Sequence, residues 1–207
     1  MVEGIWGKKI GMTQVFAEDR KVIPVTAIDI SNWIVTQVKT KDRDGYSAVQ
    51  VGCLRDRYVK KEFEKEWLKK LAFYFEKVRE ICLEQDSDTF EPGKPFMPLT
   101  VLNEGVVVDV FGTSTGHGFQ GAVKRHGFKG GRGSHGCKLG RAPGSMSFMR
   151  SQARVIKGHR LPGHMGCDRT MVQNLKVVKC LPESSVILVK GGVPGKAGSF
   201  VFLRKRG

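Results

Sequence analysis

Between Asp109 and Asp168 this chain has no acidic residue at all, a gap of 58 residues. A general acid/base site needs a carboxylate to orient its histidine, so the gap argues against catalysis there. Cysteines are few and scattered: Cys53, Cys82, Cys137, Cys167 and Cys180, with no CxxC pair. An odd number at wide spacing excludes a disulfide framework and predicts free thiols in a reducing compartment. His135, Cys137, His164 and Cys167 are the one conceivable zinc set. Their spacing follows no zinc pattern, and no metal or other cofactor is expected. No run approaches the roughly 18 apolar residues of a membrane span. The chain opens without an apolar or Arg-rich leader, so a cytoplasmic location without membrane partners is expected.

Other chemical signatures are missing too. Gly191-Gly192-Val193-Pro194-Gly195-Lys196 is one residue short of a Walker spacing, and Ala197 follows the lysine. Ser145, in Pro143-Gly144-Ser145-Met146-Ser147, is not in a nucleophile elbow. Asp29, Asp42, Asp44 and Asp109 lack matching partners. The chain is therefore read as a non-enzyme.

What is present is positive charge. The 207 residues carry 35 Lys and Arg against 20 Asp and Glu, a formal net charge of +15. Ten of those cations, and so +10 of the surplus, lie in the acid-free stretch: Lys124, Arg125, Lys129, Arg132, Lys138, Arg141, Arg150, Arg154, Lys157 and Arg160. All five histidines and more than half of the 26 glycines lie there as well. Such a segment repels itself and has too few large apolar residues for a core. A polyanion must compensate it, and nucleic acid is the natural one. The cations do not recur at helical spacing, and Pro143, Pro162 and the glycines forbid a long recognition helix. An irregular basic arm suits folded RNA better than the major groove of DNA.

The same stretch offers further RNA-contacting groups. Gly112-Thr113-Ser114-Thr115-Gly116-His117-Gly118-Phe119-Gln120-Gly121 exposes hydroxyls and backbone amides that can bond phosphate oxygens. The histidines read as hydrogen-bonders, His117 first among them. Phe119, Phe128 and Phe148 can stack on bases or anchor local packing, and the sequence leaves both readings open.

The rest reads as mainly β. Thr13–Phe16, Val22–Ile30, Ile34–Thr40, Ala48–Gly52, Val106–Val110, Val172–Cys180, Val186–Lys190 and Phe200–Leu203 are short runs rich in Val, Ile and Thr, divided by polar turns. That pattern predicts a barrel or sandwich. Over Tyr58–Glu84 the apolar residues Phe63, Trp67, Leu71, Phe75 (or Tyr74), Val78 and Cys82 recur every three or four positions. This predicts an amphipathic helix packed on its own barrel or docking a partner. The expected organisation is a β-barrel body from 1–56, 99–111 and 167–207. A helical insertion at 57–91 and an extended basic arm at 112–166 complete it.

Several motifs, in order along nearly the whole chain, resemble one known family. Leu102 is followed by Asp109-Val110-Phe111-Gly112-Thr113-Ser114-Thr115-Gly116-His117-Gly118-Phe119-Gln120-Gly121 and then Arg125. Gly4-Ile5-Trp6-Gly7-Lys8-Lys9-Ile10-Gly11-Met12-Thr13-Gln14-Val15-Phe16 opens the chain. Pro143-Gly144-Ser145, Lys157-Gly158, Gly163-His164-Met165-Gly166 and Leu188-Val189-Lys190-Gly191-Gly192-Val193-Pro194-Gly195 follow. Together they are similar to the universal third protein of the large ribosomal subunit, in its short bacterial-type form. The resemblance implies a translation-protein-type β-barrel and an arm running through ribosomal RNA toward the peptidyl-transferase centre. It implies direct binding of large-subunit RNA near its 3′ end, a role in nucleating assembly, and no catalysis. The implied neighbours are the fourteenth and nineteenth large-subunit proteins, with no homo-oligomer. Lys8 and Lys9 join the RNA-contact candidates by virtue of the opening motif. Arg150 stands where many bacterial members carry a methylated glutamine, with Gln152 two residues later. The segment Tyr58–Glu84 is not part of the family signature.

Overall fold

The computed structural model describes residues 3–17, 19–83, 90–96, 102–147 and 154–206. The chain divides into two compact units, Met1–Thr113 with Arg169–Gly207, and Ser114–Asp168.

The first unit is β-rich. Its strands are β1 (Gly4–Phe16), β2 (Val22–Asp29), β3 (Trp33–Lys39), β4 (Ala48–Leu54), β5 (Phe75–Cys82), β6 (Val107–Thr113), β9 (Arg169–Leu181), β10 (Val186–Lys190) and β11 (Phe200–Lys205). Six of them pair antiparallel in a closed ring, β1-β11-β6-β9-β10-β2 and back to β1. Closure removes the exposed edges that would otherwise template aggregation. The ring is kept in register by alternation. On β11, Val201 and Leu203 are fully buried while Phe200, Phe202 and Arg204 between them are only partly so.

Closing a small ring requires sharp local bends, and β-bulges supply them. Register shifts fall between Lys9 and Gly11, between Leu188 and Val189, and between Val108 and Val110. At the last of these Asp109 is buried. Its carboxylate accepts a hydrogen bond from the Asn174 backbone N–H at 3.0 Å, and Asn174 sits at φ 60°. Asp109 thus satisfies backbone that the ladder leaves unpaired.

β3, β4 and β5 form a second, antiparallel sheet. Its Trp33, Val35, Val49, Val51, Cys53 and Ile81 share one core with Ile5, Ile28, Val108, Val110, Val177, Ile187, Val189, Val201 and Leu203 of the ring. Burial pushes the Cys53 thiol up to about 12, so it is an inert core residue. On the outer rim Lys39 bonds Glu80 at 2.7 Å, and the Tyr46 hydroxyl donates to the other Glu80 oxygen at 2.7 Å. These bonds, Lys39 first, lower the Glu80 carboxyl below its usual range.

The helix expected over Tyr58–Glu84 is absent. In its place are a 3₁₀ turn at Lys65–Leu68, a four-residue helix at Leu71–Tyr74 (α2, after α1 at Lys41–Asp44), and strand β5. Two demands override the helical period. β4 needs a partner on its second edge, and Ile81 and Leu83 are buried in the main core at strand spacing. The aromatic residues still meet, but by a turn folding back. Trp67 stacks on Tyr74 at 5.1 Å and 7° and touches Tyr58 and Phe63, which forms a satellite core with Ile34, Leu54 and Phe75. The region expected at 57–91 as a helical insertion therefore contributes one strand, Phe75–Cys82, to the body.

Candidate nucleic-acid interface

The second unit begins and ends as a narrow ribbon. Its strands are β7 (Gly118–Gln120) and β8 (Gly163–Met165), and Phe119 stands opposite His164. Bonds from Ser114 N–H to the Asp168 carbonyl (2.9 Å) and from His117 N–H to the Met165 carbonyl (2.9 Å) extend the pairing to the ends of the unit. Glycine is required where the ribbon is tightest. At Gly166 (φ 82°) an added Cβ would lie 2.2 Å from the Thr115 carbonyl oxygen. At Gly163 it would lie 2.6 Å from the Arg125 guanidinium, the mobile end of a long side chain that can shift aside.

Arg125 is held on α3 (Ala122–His126), which Gly127 ends in a left-handed cap at φ 72°. The Arg125 Nη1 donates to the Leu161 carbonyl at 2.8 Å, and His126 Nε2 reaches the same oxygen at 3.1 Å. These two side chains tie the start of the long 121–162 segment to its end. Among the described residues of the unit only Ala122 is buried. Burial of that kind gives no hydrophobic core, so little apolar driving force holds this unit together.

Its charges are left open. Lys124, Lys129, Arg132, Lys138, Arg141, Arg154, Lys157 and Arg160 are all exposed, and none is in an ion pair among the described residues. His117 is exposed, and Phe119 is 76% exposed on β7. A large aromatic ring projecting into water beside a cationic surface suits stacking on a base. Phe128 is half-buried with its ring 6.2 Å from that of His126, so it serves as a local anchor. Phe148 and Arg150 lie outside the described residues. No group of three or more His, Cys, Asp or Glu among the described residues is arranged to hold a metal ion. The Cys137 thiol is exposed, and backbone N–H groups of Leu139 and then Gly140 hold it below its ordinary value.

The arrangement is an exposed cationic surface without a core, entered and left through a two-strand ribbon. The family model described as "Ribosomal protein L3" matches residues 83–183, a span that runs from before β6, through the second unit, to just past β9. The large ribosomal subunit protein uL3 of Finegoldia magna is 41% identical over 206 residues, covering 99% of this chain and 98% of that relative. The uL3 protein of Syntrophobacter fumaroxidans is 42% identical over 207 residues, with the same coverage. The chain belongs to the ribosomal protein L3 family.

Two motifs that carry the family resemblance meet in the body. Lys9, in the opening motif, donates from Nζ to the carbonyls of Val193 (2.8 Å) and Gly195 (2.7 Å), in the Leu188–Gly195 motif. Its backbone carbonyl accepts from Gly198 N–H at 2.7 Å. Lys8 lies 3.5 Å from the Glu76 carboxylate and over the Phe200 ring. Both lysines, expected as RNA contacts, are engaged within the first unit. Arg125 likewise gives one of its five N–H donors to the Leu161 carbonyl.

Three cations that the sequence reading passed over stand in the first unit. A cleft of about 240 Å³ is lined by Trp6, Phe111 and Phe200, by Gly112 and Thr113, and by Lys77, Arg79 and Arg169. Lys77 and Arg79 lie within Tyr58–Glu84, the span expected as a helix. On β5 they alternate toward the same side as Ile81, while Phe75, beyond the register shift opposite Cys53 and Leu54, packs with Leu54 in the satellite core.

Proposed function

We propose that this protein is a structural constituent of the large ribosomal subunit in the cytoplasm, and that it binds large-subunit ribosomal RNA directly. The observation that carries this is the second unit: eight exposed, unpaired cations, no acidic residue before Asp168, and one buried residue among those described. Such a surface is stable only against a polyanion, and RNA phosphates supply the charge density. Family membership supports the identity of that RNA, since the relatives bear the name of large-subunit proteins.

In this reading the ring of β1, β2, β6, β9, β10 and β11 is a translation-protein-type barrel that anchors the molecule on the subunit. Residues 112–166 are the arm that enters the RNA toward the peptidyl-transferase centre. The eight free cations bind phosphates, His117 adds a hydrogen bond, and Phe119 stacks on a base. Arg125 shapes the arm from within. The protein helps to nucleate assembly near the 3′ end of the RNA and catalyses nothing. The fourteenth and nineteenth large-subunit proteins are its neighbours, and it does not pair with a second copy of itself.

Sedimentation of cell extract tests this. The protein should travel with large subunits and leave them only at high salt. A protein found free at low salt would overturn the assignment.

A further inference from the structure

Several partly buried cations of the first unit face acids. Lys8 faces Glu76, Lys39 faces Glu80, and Arg204 faces Glu3 and Asp109. The cleft lined by Trp6, Phe111 and Phe200 is different. Its Lys77, Arg79 and Arg169 have no ion pair among the described residues, and no acidic side chain lines it. Of the carboxylates next to them in sequence, Glu76 faces Lys8 at 3.5 Å, Glu80 faces Lys39 at 2.7 Å, and Asp168 is in no ion pair among the described residues.

Like charges gathered at one place repel, and the strain registers on Lys77. Burial first, and then Arg79, lowers its ammonium below the ordinary lysine value. Aromatic rings partly compensate. Lys77 Nζ lies 5.4 Å from the centre of the Phe200 ring, and the Arg169 guanidinium carbon lies 5.6 Å from that of Phe111. Cation–π contacts hold Lys77 and Arg169 in place and leave their N–H donors free, while Arg79 gives one Nη1 donor to the Val78 carbonyl at 3.1 Å and keeps the others. The cleft therefore offers fixed cationic donors, a nearby hydroxyl (Thr113) and an aromatic wall.

A phosphate satisfies the donors, and a ring or sugar fits the wall. About 240 Å³ is below the roughly 300–1,000 Å³ of pockets that enclose a whole small ligand, so the cleft suits one unit of a longer one. We infer that this cleft holds a single unstacked nucleotide of the bound RNA, its phosphate on Arg79 and Arg169 and its base or ribose against the aromatic wall. The inference rests on the RNA-bound reading of the chain, and it concerns a surface distinct in sequence from the basic unit. Cleft-lining Thr113 and Arg169 are the residues at which the chain leaves and re-enters the body.

The test uses the full chain, labelled for amide NMR, and titrates 5′-AMP, adenosine and inorganic phosphate separately. With AMP, the amides of Gly112, Thr113 and Phe200 should shift and saturate at millimolar concentration. Adenosine and phosphate should each bind more weakly. Arg169→Ala should weaken AMP about tenfold or more, the loss expected for a charge-assisted phosphate contact. Arg169→Lys keeps the charge without the fork and should fall between. Arg169 is exposed, so unchanged amides away from the cleft show that each variant is folded. No saturable shift at the cleft, or phosphate alone binding as tightly as AMP, overturns the inference. Either result leaves the ribosomal reading standing as long as the chain still binds large-subunit RNA. If the chain fails to bind that RNA at all, the ribosomal reading falls whatever the cleft does.

Discussion

Neutralising part of the second unit should change how RNA binding responds to salt, and the size of the change follows from the structure. Eight cations among its described residues are exposed and in no ion pair there. Each phosphate neutralised contributes roughly 0.7–0.9 to the slope of log affinity against log salt, so eight contacts give about −6 to −7. Between about 50 and 200 mM salt, affinity for purified large-subunit RNA should then fall by about 10⁴-fold. Replacing Lys129, Arg132, Lys138 and Arg141 together by alanine removes half of these charges. The slope should become shallower by about 3. Arg125→Ala removes a charge and also a bond to the Leu161 carbonyl, so it should disturb the 121–162 segment as well as change the slope by at most about 0.9. The assay is equilibrium filter binding across a salt series, with each variant checked for an unaltered melting of the body. A fourfold variant with the parent's slope would refute the reasoning, because the cations would then not be the phosphate contacts.

Other consequences concern the fold. Leu203 is fully buried in the ring, and Leu203→Ala should destabilise the body by about 2–5 kcal/mol in urea unfolding; a loss under about 1 kcal/mol would mean that the ring is not the core. Gly166→Ala puts a Cβ against the Thr115 carbonyl at a left-handed φ, so amides of Ser114 and His117 should lose hydrogen-exchange protection while the body's melting stays put; intact protection would contradict the ribbon pairing. The lowered Glu80 carboxyl contributes stability that is present above its unfolded pKa of about 4.3 and is lost as pH falls through the lower, folded value. Glu80→Gln should therefore narrow the stability gap between neutral and acid solution, and an unchanged acid profile would show that the Lys39–Glu80 contact contributes nothing measurable.

Strands that bury one face through their own Val, Ile and Leu residues were legible: β2, β4, β10 and β11 follow the apolar runs within a few residues. The first half of β1 was not. Gly4, Gly7, Lys8, Lys9 and Gly11 break the apolar run, so the expected strand began only at Thr13, and the rest is dictated by β11 and β2 on either side. β5 failed for a related reason. Its residues carry a three-to-four spacing, and the edge of β4 that recruits them as a strand is visible only once the sheet exists. The candidate interface was legible as charge, since the absence of acid survives any folding. Which cations are free was not. Lys9 finds its carbonyls 184 and 186 residues away and Arg125 finds its own 36 away, and no local pattern announces such partners. Phe119 and Phe128, equivalent in sequence, are separated by exposure alone.

Hydrogen exchange on the full chain, free and bound to large-subunit RNA, bears most directly on a basic unit that lacks its own core. Amides of 129–147 and 154–162 should exchange rapidly in the free protein and become protected with RNA, while those of β1, β6 and β11 stay slow throughout. Strong protection of those amides in the free protein, unchanged by RNA, would contradict the account.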